Sequence, residues 1–241
     1  MSVLSTPPVS PAPPEPSRAG ASPLIDPLVT RHLETALHPG VEPADAAELR
    51  VRGVVRLGRA WLPVRAVETV APRLGYLLRA RVIGAMRLVE EQRGDVAVRR
   101  ESCGRLVEED DSLDAVRHAR THRALAALWV PGALRPEAGA TWERLDGTHL
   151  RVVADDLDLR LHVHPHGHVL GVRTQGWGDP YRTGLPRWAE IGYEVREWRT
   201  FGSVCIPATV AVGWFPGTPY EQEIARLQVT SWQPRSAEAF R

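Results

Sequence analysis

Four histidines crowd into the heptapeptide His162-Val163-His164-Pro165-His166-Gly167-His168. Imidazole is the commonest metal-binding side chain, and its neutral form suits zinc, copper or nickel. His162 and His164 stand two apart, so on a strand they share a face. Pro165-His166-Gly167 reads as a turn, and His168 opens the returning strand. The four rings could then converge on one divalent ion at a hairpin tip. An open coordination position would let a bound water act as nucleophile, which makes a metal-dependent hydrolase one reading. Against it, His162 lies on the polar side of its strand with Asp158 and Arg160, and no Cys or carboxylate completes the set. Metal binding therefore stands as the alternative, and no other cofactor is expected.

Other chemistry-bearing residues are fewer. His118 and His122 are spaced i, i+4 on an expected helix, a spacing that suits metal ligands. No Glu follows the first of them, so the metalloprotease helix motif is absent. Asp155-Asp156 falls in an expected hairpin turn, and Glu108-Glu109-Asp110-Asp111 precedes the helix. Both positions favour acids for structural reasons. No G-x-S-x-G and no Gly-rich dinucleotide loop occurs. All thirty basic residues are Arg; Lys and Asn are missing altogether. A phosphate loop with its Lys, a Schiff base and N-glycosylation are thereby excluded.

Eight Trp among 241 residues is a high number. Large aromatics can line a cavity for an apolar ligand or simply fill a core. The candidate cavity residues are Tyr76, Leu78, Val116, Leu128, Trp129, Trp198 and Trp214.

The elements that must position these residues are mostly strands. Leu49, Val51, Val55 and Leu57 alternate with Arg50, Arg52 and Arg56, and Leu157, Leu159, Leu161 and Val163 alternate with Asp156, Asp158, Arg160 and His162. A period of two means one buried and one wet face. The pattern recurs over about 49–57, 61–70, 76–84, 86–91, 95–101, 105–109, 141–146, 149–154, 157–164, 168–175, 190–198, 204–214 and 221–232. Short turns such as Gly58-Arg59 link successive strands into an antiparallel meander. One long helix interrupts them, from about Asp111 to Trp129, with Leu113, Val116, Arg120, Ala124, Ala127 and Leu128 at helical spacing toward the sheet. A shorter helix is expected from Asp26 to Leu37, capped by Asp26 with Pro27 in its first turn. Residues 1–23, rich in Pro and Ser, are expected to be a disordered tail, and 24–235 a single domain. The expected class is mainly β (α+β), a large curved antiparallel sheet or half-barrel wrapped around one amphipathic helix.

Net charge is +1, and Arg interleaves with acids along the chain, which gives no footprint for nucleic acid or an anionic membrane. No stretch is long and apolar enough to span a bilayer, and no basic start with an apolar core marks export, so the expected compartment is the cytoplasm. Cys103 and Cys205 are expected to be reduced. No feature sets an oligomeric state.

Four phrases occur in order: Gly58-Arg59-Ala60-Trp61-Leu62-Pro63, Gly75-Tyr76-Leu77-Leu78-Arg79-Ala80, Trp129-Val130-Pro131-Gly132-Ala133-Leu134, and Phe201-Gly202-Ser203-Val204-Cys205-Ile206-Pro207 leading to Val212-Gly213-Trp214. Over residues 25–232 the chain resembles a bacterial family of uncharacterised proteins known only as a domain of unknown function. The resemblance implies a shape similar to LolA- and LppX-like lipoprotein carriers, a curved sheet around a helix with an apolar cavity. Relatives often carry an acid three positions before the helix Trp, where this chain has Ala126. Carriers of that shape work outside the cytoplasm, whereas no export signal is read here. The expected function is a non-catalytic protein that holds a lipid or other apolar molecule in the concave face, with the helix as lid. A purely structural or interaction protein is a third reading, marked by an exposed apolar patch or a free edge strand.

Overall fold

Alternating strands with one greasy face must cover that face, and here a single sheet does so by curling around a helix. The computed structural model describes residues 25–82 and 86–240. The tail expected over 1–23 lies outside the described residues. The first half holds α1 (Pro27–Ala36), β1 (Ala46–Leu57), β2 (Ala60–Ala71), β3 (Gly75–Val82), β4 (Met86–Arg93), β5 (Val96–Cys103) and β6 (Leu106–Asp110). Then come α2 (Leu113–Ala126) and three short 3₁₀ turns, Ala127–Trp129, Pro131–Leu134 and Pro136–Ala138. The second half holds β7 (Thr141–Arg144), β8 (His149–Ala154), β9 (Leu157–Val163), β10 (Val169–Gly178), β11 (Arg187–Phe201), β12 (Val204–Trp214) and β13 (Gln222–Arg235), followed by a 3₁₀ turn, Ala237–Phe240.

Among the described residues the thirteen strands form one open antiparallel sheet in the order β6-β5-β4-β3-β2-β1-β13-β12-β11-β10-β9-β8-β7. Two meanders are zipped together by their first and last strands, with Ala46 opposite Arg235 and Leu49 opposite Trp232. The chain must then pass from one free edge, β6, to the other, β7. It crosses the concave face as α2, which is why the helix lies inside the curl.

α1 starts as its sequence dictates. The Asp26 carboxylate accepts the Leu28 N–H at 2.8 Å, with Pro27 in the first turn. α2 is capped by Ser112, whose hydroxyl accepts the Ala115 N–H at 3.3 Å. The expected apolar stripe of α2 holds at Ala124, and at Ala127 and Leu128 just beyond the helix, but is corrected toward the helix start. Leu113 is 73% exposed, and the face turned inward is Ala115, Ala119, Thr121, Arg123, Ala124 and Ala126. The physical reason is close approach. A Cβ on Gly176 of β10 would stand 2.6 Å from the Thr121 methyl, so only small residues fit between helix and sheet there. The Thr121 hydroxyl accepts the Trp177 N–H at 2.9 Å, and the Arg117 guanidinium lies over the Trp177 ring. Buried Arg123 donates to the Pro72 carbonyl and pairs with Asp156, so the helix is bolted down by charge as well as by contact.

The interleaving of charge read along the chain is also corrected. Strand register sorts it: Arg52, Arg65, Arg81 and Arg87 stand directly opposite one another across β1–β4, all on the outer face. Cys103 and Cys205 are both free thiols.

Candidate functional site

Under α2 the inner face of the first half is not filled. A cavity of 470 Å³ lies between the helix and β1–β5, reaching β11–β13 on its far side. Its floor follows from strand register. Val51, Ala66, Ala80 and Leu88 pair in one row across β1–β4, and the two alanines in the middle leave the space a larger residue would take. Val64 and Val82 form the next row, with Met86 beyond them. Leu57, 44% exposed, also lines the cavity, so the cavity meets solvent beside it.

The row on the other side of the alanines is polar. Glu68, Leu78, Glu90 and Arg99 pair in sequence across β2–β5. Both carboxylates are buried, each 2% exposed, on the apolar side of the sheet. Burying a carboxylate is costly unless it is paired and hydrogen-bonded. Here α2 supplies the partner. His122 Nε2 lies 3.0 Å from Glu68 Oε1, and the His122 ring stacks on Tyr76 at 4.8 Å between centroids. The Tyr76 hydroxyl donates to Glu90. Arg99 reaches Glu101, and His118 lines the cavity one helical turn before His122.

The electrostatics divide the two histidines. Burial works against a charge on His122, but Glu68, through its field and its hydrogen bond, and then Glu90 outweigh it and push the imidazole up to about 9. The His122 side chain keeps 30% of its surface accessible and lines the cavity. His118 is held below its usual value, first by burial, which the field of Glu90 only partly offsets. At neutral pH the cavity therefore presents an imidazolium tied to Glu68 and a neutral imidazole beside it. Burial, with Glu90 adding to it, raises Tyr76 well above the usual phenol range. Tyr193 lines the cavity and is raised by burial; its hydroxyl oxygen is itself sealed off and has no hydrogen-bond partner among the described residues. Its ring lies parallel to Trp129, 6.5 Å away.

Of the seven residues expected to line a cavity, Leu78 and Trp129 do so. Tyr76 stands behind the lining, touching it through His122, and bonds the buried Glu90. Val116 and Leu128 pack against the core away from the cavity. Trp198 donates its indole N–H to the Val169 carbonyl at 2.8 Å and packs on His168. Trp214 covers Gly178, where a Cβ would lie 2.6 Å from its ring. Both indoles fill strand-to-strand gaps in the second half, because their register places them under β10 and not under α2. Sequence reasoning missed Glu68, Glu90, Arg99 and Tyr193. A signal existed for the carboxylates: Val64, Ala66, Glu68, Val70 and Leu88, Glu90 put an acid in phase with apolar positions, where only a partnered acid is stable.

The expected convergence of the four clustered histidines does not form. His162 points outward from β9 and stacks on His149 of β8 at 4.8 Å, with Asp146 holding His149 at 2.9 Å. His164 and His166 lean on each other within the turn, and His168 turns to Trp198. The turn's carbonyls are occupied by α1: Arg31 donates to Pro165, Thr35 to His166 at 3.0 Å, and His32 Nδ1 bonds Gly167 at 2.9 Å. The segment is a seat for α1. Among the described residues no three His, Cys, Asp or Glu side chains are grouped to hold a metal ion. Asp155 and Asp156 serve structure, pairing with Arg73 and Arg123.

The sequence profile of a family of unknown function (DUF6544) matches residues 25–222, and the chain belongs to that family. No curated protein matches it. Among solved structures it is similar to a domain described as an outer membrane lipoprotein-sorting protein from Vibrio parahaemolyticus, at 7% identity and a TM-score of 0.43, over 80% of this chain and 86% of that one. It is similar to a DUF1329 family protein from Desulfovibrio piger, at 8% identity and 0.47, over 87% and 91%. A LolA superfamily protein from Nitrosomonas europaea shares 7% identity at 0.44, over 88% and 94%.

Proposed function

We propose that this member of the DUF6544 family is a non-catalytic binding protein that holds an apolar small molecule, such as a lipid chain, between α2 and the concave face of β1–β4. The observation that carries this reading is the 470 Å³ cavity itself, walled by aliphatic side chains and floored by Ala66 and Ala80. Small-molecule pockets run to roughly 300–1,000 Å³ and combine apolar walls with a few convergent polar groups. Those groups are present here in His118 and the His122–Glu68 pair. A ligand with one polar atom at the end of an apolar body would set that atom against His118 or His122 while its body covers the aliphatic wall.

Native mass spectrometry of the purified chain, before and after organic extraction, tests this. The expected result is a co-purifying apolar mass that extraction removes. Ala80→Phe, which fills the floor, should abolish it while the chain stays folded. A bare polypeptide mass, together with no uptake of an apolar fluorescent probe by the extracted protein, would overturn the reading.

A further inference from the structure

The strand segments that wall the cavity carry a different array on their other side. Arg52, Arg65, Arg81 and Arg87 stand in one unbroken row across β1–β4. The neighbouring row reads Arg50, Val67, Arg79 and Val89. The two rows line a groove of 700 Å³ on the outer face. Like charges directly opposite on a sheet repel, so such a row destabilises the fold unless carboxylates interleave with it. Among the described residues, none of the six arginines has a carboxylate within ion-pair distance, although fourteen other arginines do. Arg52 finds only the Gln228 amide oxygen, at 2.9 Å. In a chain of net charge +1, this concentration of unpaired charge is a property of the fold and not of composition.

We propose that the outer face of β1–β4 docks on an anionic lipid surface, the arginine rows taking up phosphate-bearing headgroups. Guanidinium groups bind phosphate in forked pairs of hydrogen bonds and so suit this task. The aliphatic residues favour a lipid surface over nucleic acid. Val67, 38% exposed, and Val89 lie between the arginines, and Trp61, 37% exposed, lies farther along β2 on the same face. An indole beside aliphatic and cationic side chains fits a headgroup boundary. A broad sheet face cannot enter a major groove, which admits a helix or a two-stranded ribbon. Single-stranded nucleic acid is held on stacked aromatic platforms, and the groove is lined by Arg, Val, Ala, Leu and one Thr. The array acts whatever the cavity holds.

The test is flotation of the full chain with vesicles of phosphatidylcholine alone and of phosphatidylcholine mixed with phosphatidylglycerol, at low and raised salt. Binding should need the anionic lipid and weaken as salt rises. Replacing Arg65 and Arg81 together by Gln should weaken it roughly thirtyfold, from about 1 kcal/mol per basic residue near such a surface. The same replacement at Arg196 and Arg199, which are paired with Glu194 and Glu197, should leave it unchanged. Thermal melting checks the fold of each variant, and relief of repulsion should keep the Arg65/Arg81 variant at least as stable as the parent. No flotation with the anionic vesicles, equal loss in both double variants, or tighter binding to a duplex oligonucleotide than to the vesicles at equal salt would each overturn the proposal.

Discussion

On β9 the inward positions are Leu157, Leu159, Leu161 and Val163, and on β8 they are Leu150, Val152 and Ala154; all are sealed from solvent. On β2 and β3 the same inward positions read Val64, Ala66, Glu68, Val70 and Tyr76, Leu78, Ala80, Val82, and there the helix spans a void. The alternation is the same in both halves, yet one half is solid and the other hollow. Two substitutions of kind make the difference. Alanine at 66 and 80 removes volume from the middle of the sheet, and the buried acids Glu68 and Glu90 need polar company that a collapsed aliphatic core would not offer. The outer faces differ in parallel. Arg151, Arg160 and Arg173 also stand in a row, but Glu143, Asp158 and Glu190 pair with two of them, whereas the row over the cavity has no such partners.

The sharpest way to break this comparison is to truncate each half. Leu159→Ala should cost about 4 kcal/mol, because it leaves a sealed hole in a packed interior. Leu78→Ala should cost about 2 kcal/mol, since the space it opens joins a cavity already present. Equal losses in urea denaturation would mean that the hollow half is as tightly packed as the other.

Next in size is the polar pair. His122→Ala strands Glu68 in the interior and should cost about 3 kcal/mol, while adding Glu68→Gln should recover most of that loss. The sign of the pH dependence follows from His122. Its folded value, about 9, lies above the ordinary 6.5, so its contribution is fully present below pH 6.5 and is lost as pH rises through about 9. Glu68→Gln should flatten that slope in a pH series of melting curves.

Filling should discriminate the halves in the opposite sense. Ala154→Phe overpacks the solid half and should cost about 1–3 kcal/mol, whereas Ala80→Phe enters open space and should cost less while excluding a ligand. The smallest effects belong to the surface. Arg151→Gln breaks a two-pronged pair with Asp158 and should lower the urea midpoint slightly; Arg65→Gln relieves repulsion and should raise it.

Much of this was legible along the chain. The strand positions, the Asp26 cap, and the Gly58-Arg59 turn follow from local pattern and turn chemistry, which act over a few residues. The candidate site was far less legible. Tryptophans drew attention as cavity walls, yet Trp198 and Trp214 fill the second half, because an indole packs equally well in either setting. The clustered histidines offered a metal site as the alternative reading, yet alternation sends His162 outward and α1 occupies the turn that holds His166. The histidines that do meet a cavity, His118 and His122, needed Glu68 from a strand more than fifty residues away to acquire their meaning.

By itself the sequence determined which residues face together on each strand, where the helices begin, and that a large antiparallel sheet must curl to cover its apolar side. Those are consequences of period, capping and burial, all read over short spans. Only the tertiary structure decided that β1 pairs with β13, that α2 therefore crosses the concave face, that four arginines align outside, and that a void remains inside. Pairings between distant strands depend on how whole faces match when the sheet closes up. No local spacing carries that information, because a filled core and an empty one are written with the same alternating residues.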